Sequence, residues 1–208
     1  MHAPVVVWTI IALNAAAFLY QLSLGQSELQ AFLFQHALVP VRYFNPGEAW
    51  QVGLSPTNFT PLITNTFLHG GFLHIVLNMG SLLIFGPALE VRLGAVRFAA
   101  LYLLTGLAGS LTHAVCNASS AMPALGASGA IAGVIAAYAV LFPCAWVRAL
   151  AGIWFLHQVL QGTSELFSPM PGGDVAWWAH VGGFAFGWAF LLGHGRPAIR
   201  YKGEPAGR

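Results

Sequence analysis

The chain carries very little charge. Of its 208 residues only 7% are Asp, Glu, Lys or Arg, whereas 57% are hydrophobic. A soluble globular domain has about 25% charged residues, so this chain has too few charges to cover a surface that faces water. The shortage excludes an ordinary soluble domain and predicts a membrane protein.

Cysteines, metal-binding motifs and basic runs are also scarce or missing. The two cysteines, Cys116 and Cys144, belong to no Cys-x-x-Cys pair or Cys/His cluster, and no HExxH motif occurs. We therefore expect no bound metal and no cofactor. The formal net charge of +2 is not gathered into a basic stretch, so nucleic acid is not an expected partner.

Long apolar stretches are what the sequence has instead. There are six, most of them close to the roughly 20 residues that a helix needs to cross the hydrocarbon core. They cover residues 5–22, 67–87, 96–115, 128–142, 145–160 and 176–192. Because backbone polar groups in lipid must be satisfied within a helix, they predict an all-α, polytopic bundle of six transmembrane helices. We expect one membrane domain over residues 1–208, with a connector at 23–66 partly in the interface and a tail at 194–208.

The basic residues predict the orientation. With the N-terminus in the cytoplasm, seven of the eight Lys and Arg residues fall on the cytoplasmic side, and Arg42 alone falls outside. This predicts a multi-pass protein of the cell membrane with both termini in the cytoplasm. A cleaved signal peptide is the alternative for the first stretch, because residues 15–17 resemble a cleavage site. The lack of basic residues before it argues against that alternative.

Polar side chains occur in the outer halves of three predicted spans. His69, His74 and Asn78 lie in the second span, Ser128 begins the fourth, and His180 lies in the sixth. Polar groups are costly in lipid, so they are functional candidates. Even-numbered spans all run inward from the outer side, so we expect these groups at a similar depth.

Two glycine pairs predict how the fourth and sixth helices meet. Gly129 and Gly133 form a small-residue face after Ser128, and Gly183 and Gly187 form another after His180. If the two faces pack together, the hydroxyl and the imidazole meet at the outer end of the contact. The fourth span is about 22 Å long against a core of about 30 Å, so the serine should begin its helix below the outer surface, beside a wet cavity.

Each of these residues also has a structural interpretation. Ser128 could be an N-cap or a small packing residue, and His180 could hydrogen-bond a carbonyl of another helix. His74 and Asn78, four residues apart on one face, could likewise join helices. The remaining polar residues are interpreted as caps, anchors or packing partners: His69, Glu90, Arg92, His157 and Gln158. Trp177 and Trp178 belong either to the aromatic belt or to the lining of a substrate entrance.

Four segments of the sequence resemble motifs of the rhomboid family of intramembrane serine proteases. Gly126-Ala127-Ser128-Gly129 resembles the GxSG nucleophile motif, and residues 179–187 resemble the AHxxGxxxG base motif. Residues 69–78 resemble the second-helix motif, and residues 90–94 resemble ExRLG. The resemblance covers residues 5–193 and implies a six-helix bundle.

The resemblance also implies roles for the polar residues. Ser128 would be the nucleophile and His180 the base of a dyad, with His74 and Asn78 stabilising the oxyanion and no cofactor taking part. The substrates would be transmembrane proteins cut in or near their spans. They would enter between the second and fifth helices, beneath the loop at 161–175.

The sequence departs from the family at two positions, and it offers no third triad member. Trp50 is not followed by the Arg of many members, which leaves the anchoring of the first loop open. Ala132 stands where some members have an aromatic residue packed on the base histidine, which leaves the support of the His180 ring open. Glu90 at the inner end and Asp174 outside the sixth span do not fit a triad, so we expect a dyad.

Two other functions stay open at this stage. One is a catalytically inactive relative that binds transmembrane clients, and the other is a small transporter. A transporter usually has internal repeats, and the sequence contains no convincing one. The sequence does not predict an oligomeric state.

Overall fold

The structure is a computed structural model that describes residues 3–142, 144–167 and 175–193, with the side chains of 165–167 excepted. Within these ranges the chain forms ten α-helices, and one isolated antiparallel bridge joins Leu38 to Ala124. The helices are α1 Val5–Ser23, α2 Gln26–His36, α3 Val41–Phe44, α4 Pro46–Gln51, α5 Pro61–Thr64, α6 Phe72–Leu93, α7 Ala95–Cys116, α8 Ser128–Leu141, α9 Ala145–Phe167 and α10 Trp177–Gly193. The predicted all-α class is confirmed.

Six of these helices are long, and they form the bundle. In the described part of the chain α1, α6 and α7 are long and apolar enough to cross a membrane, judged by length and composition. The apolar helix α8 is shorter, with 14 residues and a length of about 21 Å. α9 has 23 residues and α10 has 17. The predicted bundle of membrane helices is confirmed.

The outside of the bundle is apolar. Along α6, Leu73 is 71% exposed, Val76 61% and Ile84 70%, all large hydrophobic residues on one side of the helix. A surface of this kind is unstable in water and fits the acyl chains of a bilayer. The chain is therefore a membrane protein that contacts lipid through these side chains.

The helix α8 occupies the centre of the bundle. Nine of its 14 residues are buried, most of them Gly and Ala. It packs most extensively against α10, then against α7 and α6, while α9 packs mainly on α10. Small side chains permit this close approach, because van der Waals contact is what joins helices in lipid.

Two helices have bounds that differ from the predicted spans by more than one residue. α6 begins at Phe72 rather than at residue 67, because Asn65–Phe67 form a 3-10 turn that is followed by an extended segment. It also continues past Pro87, since a proline is tolerated in a membrane helix where its surroundings satisfy the freed carbonyl. α9 extends to Phe167, into the predicted loop. The rest of that loop, 168–174, and the tail, 194–208, lie outside the described residues.

The long first connector is anchored by polar contacts. Arg42 is fully buried, and its Nη2 donates to the carbonyls of Phe34 and Gln35 at 3.2 and 3.0 Å, in the last turn of α2. Hydrogen bonds of 2.8–2.9 Å join Leu38 to Ala124 in the bridge. The connector is thus tied to the segment that precedes Ser128, without the Trp-Arg dipeptide of many family members.

Glu90 fastens α1 to the end of α6. Its carboxylate is buried and accepts the backbone N–H groups of Val6 and Val7 at 2.9 and 2.8 Å. These N–H groups belong to the first turn of α1 and have no partner within that helix. The interpretation of Glu90 as a structural cap is confirmed.

Substitution of Glu90 should destabilise the bundle. In Glu90→Gln one N–H of the new amide faces a backbone N–H, and the charge-assisted bonds are lost, at an expected cost of about 1.5–3 kcal/mol. Thermal denaturation in detergent measures the change. Glu28→Gln is the control, because Glu28 also accepts a backbone N–H, that of Gly25, but is exposed. Equal shifts in the two variants would contradict the assignment.

Candidate active site

The structure brings Ser128 and His180 into hydrogen-bond contact. Ser128 is the first residue of α8, and His180 lies in the first turn of α10. The distance from Ser128 Oγ to His180 Nε2 is 2.8 Å. The imidazole is buried, with 8% of the residue exposed, and the serine is half-buried. A hydroxyl at this distance from a ring nitrogen can pass its proton to the ring.

The two glycine faces set this distance. A methyl group added to Gly183 would overlap the carbonyl oxygen of Gly129, and one added to Gly187 would overlap the backbone of Gly133. The backbones of α8 and α10 are therefore in direct contact, as expected from the glycine spacing. On α7, Gly109 leaves similar room for the carbonyl of Ala179, which lies 2.6 Å from the position of an added methyl group.

His74 lies beside the serine, across Gly126. A methyl group added to Gly126 would lie 2.8 Å from His74 Nε2 and 3.5 Å from Ser128 Oγ, so both groups border the same small space. His74 Nδ1 accepts the N–H of Gly70 at 3.3 Å. This bond assigns the proton of the neutral ring to Nε2. His74 therefore presents an N–H donor at the edge that borders Ser128.

Asn78 lies one turn further along α6 and is buried, with 6% exposed. Its Nδ2 donates to the carbonyl of His74 at 3.0 Å. A carboxamide has two N–H groups, and this bond uses one of them. The structure thus places Asn78 on the same helix face as His74, bonded within its own helix and not to Ser128.

Gln158 is the site residue that sequence reasoning missed. It lies on α9, is 3% exposed, and its Oε1 is 2.8 Å from His180 Nδ1. Trp154, one turn earlier, packs its ring against the imidazole with centroids 5.7 Å apart. α9 therefore supports the ring, where Ala132 of α8 could not. The sequence did contain one indication of this role, because Gln158 places a polar amide inside an apolar span and a polar group is costly in lipid.

The other candidate residues have different surroundings. The backbone of His69 exchanges two hydrogen bonds with Gln21 of α1, and its ring lies edge-on to the ring of His74 at 5.0 Å. His69 precedes α6 and thus ties α1 to the start of that helix. Trp177 contacts the rings of His180 and His157 at 6.3 and 5.7 Å, so it borders the site.

No acid and no metal-ligand cluster completes the site in the described ranges. Glu90 is bonded to the start of α1, and Asp174 lies outside the described residues. Within those ranges there is no group of three or more His, Cys, Asp or Glu side chains that could hold a metal ion. The chemistry that the described side chains support is proton transfer between the serine and the histidine, with N–H donors beside the hydroxyl.

Gly126 is the backbone position that lies between the His74 ring and Ser128. Its φ of +132° lies in the region that favours glycine. Gly126→Ala should slow the reaction of Ser128 with a fluorophosphonate probe about 10- to 100-fold, because the methyl group would push the His74 ring away from the serine. The control is Gly53→Ala, where φ is also positive, at +77°, but an added methyl group has no neighbour within 4 Å. The rate of probe labelling, followed by mass spectrometry, measures the effect, and equal rates for the two variants would contradict it.

Comparison with known proteins places these features in context. The profile of the Rhomboid domain family matches residues 56–196. RHOMBOID-like protein 5 of Arabidopsis thaliana is 30% identical over 164 residues, which cover 77% of this chain and 49% of that protein. Presenilin-associated rhomboid-like protein A, mitochondrial, of Danio rerio is 30% identical over 79% of this chain and 44% of that protein.

A third relative aligns over more of the chain. Rhomboid protein 1, mitochondrial, of Saccharomyces cerevisiae is 28% identical over 196 residues, 89% of this chain and 52% of that protein. The chain thus spans about half the length of these curated relatives. The family profile covers the site elements from His69 to Gly187.

Proposed function

This chain belongs to the rhomboid family, and we propose that it is an intramembrane serine endopeptidase with Ser128 as nucleophile and His180 as base. The observation that carries the proposal is the 2.8 Å contact between Ser128 Oγ and His180 Nε2 inside an apolar helix bundle. A serine hydroxyl is a weak nucleophile on its own and needs an adjacent base.

The reaction follows from the positions of these two groups. His180 Nε2 takes the hydroxyl proton as Ser128 Oγ attacks the carbonyl carbon of the scissile bond. The tetrahedral intermediate collapses to an ester on the serine, and the imidazolium returns its proton to the leaving amine. A water molecule, activated by the same ring, then hydrolyses the ester and releases the new carboxyl terminus.

The oxyanion of the intermediate must be stabilised by hydrogen-bond donors, and the proposal places these donors beside His74. Its Nε2–H borders the space beside Ser128, and the backbone N–H of the serine lies at the free N-terminal end of α8. Asn78 would add its second N–H after rotation of the side chain. Donors fixed in a site with little water stabilise developing charge strongly, which makes these three groups the oxyanion hole of the proposal.

The proposed substrates are transmembrane segments of other membrane proteins. A helix protects its peptide bonds, so the cut requires a segment that unwinds near the outer interface, with Gly, Pro or other weak helix formers. The proposed access route lies between α6 and α9. It is supported by their packing, because in the described part of the chain these two helices make at most marginal contact with each other.

We propose a cell membrane location with the site opening to the outer side and both termini in the cytoplasm. Cys144 is exposed just before α9, at the cytoplasmic end in this orientation. A membrane-impermeant maleimide should label Cys144 in inside-out vesicles and not in right-side-out vesicles of expressing cells. The variant Cys144→Ser controls for labelling of Cys116. The reverse pattern would invert the orientation.

The proposed function is tested by a cleavage assay with purified protein. Wild type and Ser128→Ala are reconstituted in liposomes with a reporter whose transmembrane segment carries Gly and Pro near its outer end. The masses of the fragments are then measured by mass spectrometry. The proposal requires cleavage in or next to the span by the wild type and none by the variant. A folded wild type that cleaves no reporter and reacts with no serine-directed probe would instead be a non-catalytic binder of transmembrane clients.

A further inference from the structure

Gln158 stands next to the proposed base, on a helix to which the sequence assigned no part in the chemistry. We propose that Gln158 is a positioning residue: its Oε1 accepts the proton on His180 Nδ1 and holds the ring in the tautomer whose Nε2 can take a proton from Ser128. The inference rests on the proposed function of that serine and histidine.

The orientation of the Gln158 amide follows from its own hydrogen bonds. Its Nε2 donates to the carbonyl of Trp154 at 3.2 Å, one turn back on α9. Reversal of the amide would set its oxygen against that carbonyl oxygen, two acceptors facing each other. The bond to Trp154 therefore turns Oε1 toward His180, where the 2.8 Å contact lies.

The tautomer of His180 follows from this contact. Since Oε1 can only accept, Nδ1 must carry the proton, and the neutral ring then has its lone pair on Nε2. That nitrogen is 2.8 Å from Ser128 Oγ and can act as the base. When Nε2 gains a proton in the transition state, Nδ1–H still donates to the amide, so the contact also stabilises the imidazolium.

The position and burial of Gln158 suit this role better than a carboxylate would. With 3% exposure its amide is shielded from water, and in such a place a lone charge is costly whereas a hydrogen-bonded amide is tolerated. Trp154, on the same face of α9, packs on the imidazole and limits its tilt. Together these two residues supply the ring support that the aromatic residue on the fourth helix gives in some family members.

Two variants separate an acceptor role from simple packing. Gln158→Leu keeps a similar volume without the acceptor, and Gln158→Glu keeps the oxygen at the cost of a buried acid. An acceptor role predicts that Gln158→Leu lowers kcat about 10- to 100-fold. This loss is smaller than the roughly 10⁴-fold loss in a serine protease whose catalytic histidine is held in the wrong tautomer. KM should stay within about twofold, and folded Gln158→Glu should retain more activity than Gln158→Leu, since one of its oxygens still accepts from His180 Nδ1. A packing role predicts the reverse order, with Leu tolerated and Glu harmful.

The experiment distinguishes a loss of folding from a loss of function. Thermal denaturation in detergent shows whether each variant folds, and the rate constants are compared only among folded variants. If wild type cleaves the reporter and folded Gln158→Leu cleaves it equally well, the inference falls while the proposed function stands.

A spectroscopic measurement tests the inference even if the protein shows no protease activity. In the nitrogen NMR spectrum of histidine-labelled protein, the His180 signals are identified by their loss in His180→Ala. The inference requires a protonated Nδ1 and an unprotonated Nε2 in the wild type, and a mixture of tautomers in Gln158→Leu or, should that variant not fold, in Gln158→Met. A wild-type ring protonated on Nε2 would overturn the inference, whether or not the protein is a protease.

Discussion

His180→Ala is expected to lower the rate of reporter cleavage by up to roughly 10⁶-fold, the size of the loss when the catalytic histidine of subtilisin is removed. Without the ring, Ser128 Oγ has no base at 2.8 Å to take its proton. Ser128→Ala should cost as much, because the nucleophile itself is gone. Initial rates in liposomes at matched protein concentrations measure both losses.

The double variant makes this expectation sharper. Two residues that act as a unit are strongly non-additive, so Ser128→Ala with His180→Ala should be no slower than either single variant. Multiplied losses in the double variant would mean that the two residues act separately. Substantial cleavage by either single variant would refute the dyad. His36→Ala serves as control, because His36 is exposed on α2 and its ring packs on Phe32 of the same helix.

Gly183→Ala is expected to give the largest loss of stability, about 3 kcal/mol or more. The added methyl group would overlap the carbonyl oxygen of Gly129, which is backbone and cannot rotate away, so α8 and α10 must separate. The expected loss in the free energy of unfolding is therefore at the upper end of the usual range for an overpacked core. Because the same contact holds Ser128 against His180, activity should fall with stability.

A matched glycine on another helix provides the control. Gly80 lies in the middle of α6, and an added methyl group there would have no neighbour within 4 Å. Gly80→Ala should leave stability unchanged or raise it by up to about 1 kcal/mol through helix propensity. Unfolding by sodium dodecyl sulfate in mixed micelles measures both variants. Similar midpoints for Gly183→Ala and Gly80→Ala would contradict the close glycine contact.

The sequence was most informative where spacing alone determines geometry. Glycines four residues apart on two apolar stretches predicted the contact of α8 with α10, and the short stretch at 128–142 predicted a short fourth helix. Apolar length also predicted the six long helices. These features depend on local pattern, which a single sequence contains.

Features that depend on tertiary contacts were not predictable. Gln158 reads as an ordinary packing residue, because only the placement of α9 against α10 brings its oxygen to His180. The polar residues predicted to share one depth also lie in even-numbered spans, whereas α9 is the fifth. Similarly, the segment that precedes α6 is bonded through the backbone of His69 to Gln21 of α1, a contact that no periodicity indicates.

The central claim is that Ser128 is an activated nucleophile because His180 accepts its proton within the membrane bundle. The most direct measurement is mass-spectrometric mapping of the adduct formed by a fluorophosphonate probe in membranes, with wild type and His180→Ala treated in parallel. The account predicts a phosphonylated Ser128 in the wild type and no adduct in the variant. An adduct on another residue of the wild type, or equal labelling of Ser128 without the histidine, would contradict it.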